Sequence, residues 1–151
     1  MLLSPQLQAN VKQAEGLRLE AYVDTTGHWT VGYGHKLADG HDWTGYIVTS
    51  DYANALLIVD LNQALLDACS LPEWTRLGNA ARQDAVTELV FNLGEDGWRQ
   101  FNRTRGLLAT QQWSAAANDL LSTLWAKQVG PARSNRIANQ ILTGTYASAV
   151  V

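Results

Sequence analysis

Between Leu19 and Thr49 the chain loses the helical spacing of apolar residues found on either side, and strand-forming residues broken by glycine and polar turns take over. The centre of this stretch is EAYVDTTGHWTVGYGH, residues 20–35. Trp29, Val31 and Tyr33 alternate there with Thr30, Gly32 and Gly34, which predicts a strand with one large apolar face and one nearly bare face. A bare face lets another chain or a ligand approach the backbone. Tyr22–Asp24 and Trp29–Tyr33 are expected as strands joined by TTGH, and GYIVTS, residues 45–50, is expected to close a third.

The flanking sequence is helical. Ser4 followed by Pro5 starts a helix in which Leu7, Val11 and Ala14 repeat at helical spacing, and Gly16 ends it. Glu15 then occupies the last turn, where the negative end of the helix dipole disfavours a carboxylate unless a cation compensates or the charge has a use. After Thr49 one long helix covers DYANALLIVDLNQALLDACS. Asn79 caps AARQDAVTELVFNLG and Gly94 ends it. Helices near TRGLLATQQ, over WSAAANDLLSTLW, and from Pro131 to about Gly144 complete the chain. The expected architecture is α+β and predominantly helical, a single domain over 1–151. A small β lobe at 16–50 and a larger helical lobe from 1–15 and 51–151 would be separated by a cleft.

A length of 151 residues with 46% hydrophobic and 17% charged side chains supports one globular core and excludes a disordered chain. No apolar run approaches the ~18 residues of a membrane span, and the first residues lack the basic leader and apolar core of a signal peptide. Cys69 stands alone, so no internal disulfide is expected; its surroundings suggest a small buried residue. Neither a metal site nor a cofactor is indicated. Residues 1–96 carry 5 basic and 13 acidic side chains, whereas 97–151 carry 6 basic side chains and one acid, Asp119. Such a basic terminal third points either to a solvated face or to attraction by a polyanion, but it lacks the arginine–aromatic pattern of a nucleic-acid module. Trp98, Trp113 and Trp125 fall at helical packing positions and are expected as core anchors.

Glu15, Asp24 and Thr30 together suggest chemistry. Glycoside cleavage needs a protonated acid for the leaving oxygen and an ionised partner that activates water or steadies the developing cation. A hydroxyl beside the second carboxylate can hold that water.

On these residues the chain resembles the bacteriophage-type lysozymes, the endolysins of glycoside hydrolase family 24. Glu15-Gly16-Leu17-Arg18-Leu19, Tyr22, Asp24 and Thr30-Val31-Gly32-Tyr33-Gly34-His35 are similar to their active-site segment, in which a glutamate, eight residues, an aspartate or cysteine, five residues and a threonine follow in order. The similarity resumes at VFNLGEDGWRQFN, WSAAANDL and PARSNRIANQILTGTY, and is weaker over residues 36–80. The resemblance implies a lysozyme-like fold with Glu15 as general acid, Asp24 as the opposing carboxylate and Thr30 as the residue that positions water. The bond cut would join N-acetylmuramic acid to N-acetylglucosamine by a β-1,4 link. Inversion is implied, which requires carboxyls about 6.5–9.5 Å apart. It further implies that Arg133 pairs with Glu15, that His35 and Asp60 form an ion pair between the β lobe and the long helix, and that Gly34, Lys36, Phe91, Thr104 and Asp119 bind sugar. Lys36 and Asp119 depart from the familiar pattern, where leucine and asparagine stand.

The expected function is therefore that of a peptidoglycan muramidase in phage-induced lysis, acting as a monomer on glycan strands. It would be made in the host cytoplasm and reach the periplasm or wall through a holin-type pore. Anionic wall or outer-membrane polymers are expected partners of the basic third, and nucleic acid is not. The alternatives are a lytic transglycosylase, which needs one glutamate and no water, and a catalytically silent wall-binding protein.

Overall fold

In the computed structural model, which describes residues 2–147, the elements run α1 (Pro5–Glu15), β1 (Arg18–Val23), β2 (Trp29–Gly32), β3 (His35–Lys36), α2 (Ser50–Cys69), α3 (Ala80–Arg99), α4 (Asn102–Ala109), α5 (Trp113–Leu121), α6 (Leu124–Val129) and α7 (Pro131–Thr143). This is the predicted α+β, mainly helical class, with one three-stranded antiparallel sheet in the order β1-β2-β3. The chain divides into two compact units, up to Gln63 and from Ala64 onward.

In the first unit α1 starts as its sequence dictates. Ser4 Oγ accepts the Leu7 N–H, Pro5 opens the first turn, and Gly16 leaves the helix at φ 71°. Leu7 and Val11 are buried, whereas Ala14 is exposed. The hairpin departs from expectation. β2 stops at Gly32, and residues 32–34 turn the chain so that Val31 pairs with His35 and Thr30 with Lys36. Gly32 and Gly34 both take positive φ, 69° and 77°, which breaks the alternation that would have carried a bare face through Gly34. The third strand is therefore His35–Lys36. GYIVTS contributes only an isolated bridge, Ile47 to Glu20, supported by Ala21 N–H to Tyr46 O and Val48 N–H to Leu19 O. Ala21, Val31, Val48 and Ala53 form the small core beneath the sheet, edged by Trp29, Tyr33, Trp43 and Leu56.

The second unit is helical. Asn79 caps α3 by accepting the Arg82 N–H, as its sequence predicts. Gly94 breaks the helical backbone at φ 75°, ψ 159°, yet helical hydrogen bonding resumes to Arg99. The expected single helix over WSAAANDLLSTLW is two, because Thr123 caps a new start at Leu124. Helix α5 packs on α4 and α7, and α7 also meets α3 and α6. Trp98 and Trp125 are core residues, as expected. Trp113 is half-buried, with the Arg82 guanidinium 4.0 Å over its ring. Cys69 is also only half-buried, at the end of α2 where the chain leaves the helix.

Candidate active site

The carboxylates singled out by sequence lie on neighbouring segments of the first unit. Glu15 ends α1 and is half-buried. Its carboxylate rests against the hairpin turn, where a Cβ built on Gly34 would stand 2.9 Å from Oε2 and 3.3 Å from Cδ. Gly34 is thus required twice, by its positive φ and by the space its missing side chain leaves for Glu15.

Asp24 follows β1, and the loop to β2 is wound around its side chain. Oδ1 accepts the Thr26 N–H at 2.9 Å, the Thr26 hydroxyl at 2.8 Å and the His28 N–H at 2.9 Å. Backbone bonds from Asp24 N–H to His28 O and from Gly27 N–H to Asp24 O close the same loop. Oδ2 accepts from the Lys36 ammonium of β3. Lys36 foremost, with the backbone N–H of His28 and the Thr26 donors, holds the Asp24 carboxyl far below the usual carboxylate range. These contacts favour the carboxylate anion. The Thr26 hydroxyl also lies 2.8 Å from His28 Nδ1, so its single hydrogen serves Asp24 fully when that ring nitrogen carries its own proton.

Thr30, on β2, is almost completely buried. Its hydroxyl donates to His28 O at 3.1 Å, which turns the lone pairs of Oγ1 to accept from another partner. His35 Nδ1 and Asp60 Oδ2 stand 2.8 Å apart, so the pair expected between sheet and long helix is formed, here linking β3 to α2.

Lys36, to which the resemblance gave a sugar-binding role, has its ammonium on Asp24. Thr104 and Asp119 are brought together in the second unit: the Thr104 hydroxyl donates to Asp119 Oδ2 at 2.6 Å, and Arg103 Nε lies 3.1 Å from Oδ1. Both line an open pocket with Phe101, Trp125 and Gln128. Phe91 is half-buried on α3 and is not among the residues lining that pocket. Arg133 and Arg136, one turn apart on α7, both meet Glu88, a fully buried acid of α3; Arg133 Nε is 3.0 Å and Arg136 Nη2 2.7 Å from its Oε2. Sequence reasoning missed Glu88, Thr26 and His28. An Asp-Thr-Thr-Gly run is an Asx-turn signal that could have found Thr26. The arginines that made the terminal third look basic are accounted for within the chain: Arg99 meets Glu95, Arg103 meets Asp119, Arg105 meets Glu73, and Arg133 and Arg136 meet Glu88.

The phage lysozyme family model matches residues 12–140, a span that holds Glu15, Asp24, Thr30 and Arg133. The chain belongs to the phage lysozyme family. It is 30% identical to probable T4-type lysozyme 1 of Dictyostelium discoideum, over 89% of this chain and 92% of that protein. Identity to the endolysin of Salmonella phage P22 is 34%, over 84% of this chain and 85% of that one. A third relative, the pre-baseplate central spike protein Gp5 of Enterobacteria phage T4, matches at 29% over 91% of this chain but only 28% of its own length. As a member of this family the chain is a glycoside hydrolase of lysozyme type, acting on peptidoglycan.

Proposed function

We infer that the chain hydrolyses the β-1,4 bond between N-acetylmuramic acid and N-acetylglucosamine, with inversion, using Glu15 as acid, Asp24 as the opposing carboxylate and Thr30 to position water. The observation that carries this reading is the division of labour around the hairpin: Glu15 lies against Gly34, while Asp24 is kept anionic by Lys36 and its own loop. Glu15 gives its proton to the leaving oxygen as the glycosidic bond breaks. Water attacks the anomeric carbon, and its proton passes to Asp24. Because the Thr30 hydrogen is engaged by His28 O, Oγ1 accepts one hydrogen of that water, Asp24 takes the other, and a lone pair is left for the sugar. Thr104, Asp119 and Phe91 supply sugar contacts in this reading. Lysis of an infected host is the proposed setting, with passage to the wall through a pore made by another protein; none of the described helices is long and apolar enough to cross a membrane.

The test is digestion of purified peptidoglycan by wild type, Glu15→Gln and Asp24→Asn, with products weighed and their anomeric form followed by NMR. Hydrated reducing sugars released with inversion, and loss of nearly all rate in both variants, are expected. Products lighter by one water, with Asp24→Asn still active, would replace hydrolysis by transglycosylation.

A further inference from the structure

Lys36 meets Asp24 from a different strand, a placement that neither the resemblance nor the spacing anticipates. The 24–28 loop supplies donors to Asp24 Oδ1 alone. A carboxylate held by one oxygen can still swing about it. Oδ2 is met by a different element, β3, through the Lys36 ammonium. The hairpin register accounts for this: the three-residue turn at 32–34 sets Lys36 opposite Thr30, which is itself opposite Tyr22, two residues before Asp24. Lys36 therefore reaches Asp24 across the sheet from the far strand.

We propose that Lys36 is a positioning residue for the hydrolysis, its ammonium fixing the Asp24 oxygen that the 24–28 loop leaves, so that the carboxylate keeps one orientation and its charge. This rests on the reading of Asp24 as the second carboxylate. Among the described residues, the charged and titratable groups in contact with Asp24 are Lys36, from β3, and His28, from the loop, whose Nδ1 is 3.9 Å from Oδ1; Glu15 is the other carboxylate of the proposed mechanism. The Lys36 side chain is 57% exposed, so the pair adds little to folding stability, and its effect belongs to catalysis. An acid-tolerant hydrolase is the consequence: the acid limb of the rate, where Asp24 would take up a proton, is pushed down by the ammonium. The hydrogen-bond donors on Oδ1 remain when Lys36 is replaced, so the effect of Lys36 can be separated from theirs.

The experiment compares the full chain as wild type, Lys36→Met, Lys36→Arg and Asp24→Asn on soluble peptidoglycan fragments, recording kcat and KM against pH and the melting temperature. The Asp24 carboxyl-carbon NMR signal is titrated in parallel. In Lys36→Met the acid limb of kcat and the Asp24 titration should both rise by about half a pH unit. KM should stay within about twofold and the melting temperature should barely move, while Lys36→Arg behaves as wild type. An unmoved limb and titration in Lys36→Met, with Asp24→Asn inactive, would sink the proposal and leave the hydrolase reading standing. A large rise in KM with the limb unmoved would make Lys36 a sugar contact instead. Substantial activity in Asp24→Asn would bring down the reading of Asp24 itself, and the proposal with it.

Discussion

At the scale of single residues, the site depends on what Gly34 lacks. Its φ of 77° is a left-handed conformation, and an added Cβ would fall 2.9 Å from Glu15 Oε2. Gly40 has nearly the same φ, 76°, with nothing within 4 Å of its would-be Cβ. The two alanine substitutions therefore share a backbone cost of roughly 1–2 kcal/mol and differ in the clash alone. Gly34→Ala should lose about a hundredfold in kcat by displacing Glu15, the acid of the proposed mechanism, whereas Gly40→Ala should lose stability and keep its turnover. Denaturant melts and rates on both variants separate the effects; equal rates would show that Glu15 tolerates the crowding. The local placement of Glu15, Asp24 and Thr30 was legible in the sequence: a glycine stop behind Glu15, a turn after Asp24, a strand around Thr30. Lys36 was not, since its position follows from the number of residues in the turn. A strand continuing through Gly34 would have left it far from Asp24.

Among elements, the helices were the easiest to read and their long-range polar anchors the hardest. Apolar spacing and caps place α1, α2 and the start of α3 within a residue or so, and the core tryptophans 98 and 125 follow from the same spacing. Glu88 carries no such mark. It reads as one more acid in AARQDAVTELVFNLG, and only the approach of α7 shows that it is 1% exposed beneath Arg133 and Arg136. Removing one member of a buried charge network strands the rest. Glu88→Ala should cost about 3–5 kcal/mol in a chemical denaturation, more than is lost when the exposed Arg99–Glu95 pair is broken by Glu95→Ala, which should be within about 1 kcal/mol. A Glu88→Ala variant as stable as the Glu95→Ala variant would mean that the arginines find water or other partners without cost. Asn79 joins two elements more modestly, capping α3 while its amide donates to Gly144 O at the end of α7.

For the whole molecule, the charge on Asp24 would, in the proposed hydrolysis, couple the acid side of catalysis to the acid side of stability. The folded state holds this carboxyl below its ordinary value, chiefly through Lys36 and the loop donors, so the folded state binds the proton less readily than the unfolded chain does. The stabilisation is thus complete above the unfolded carboxylate range, near 3.8, and is lost as pH falls from there through the lower folded value. Asp24→Asn removes the charge at every pH and weakens the bonds that close the 24–28 loop. Its melting temperature should lie below wild type at pH 7 and at pH 5 by the same margin. The gap should narrow from about pH 4 downward as wild type begins to protonate. Lys36→Met raises the folded value, so its loss of stability still begins near 3.8 but ends at a higher pH and is smaller in total than in wild type. Melting curves of the three proteins from pH 7 to pH 2 test this. A constant gap between wild type and Asp24→Asn over the whole range would mean that the Asp24 charge is felt equally by the folded and unfolded chains, and that the loop around it is held by its geometry alone.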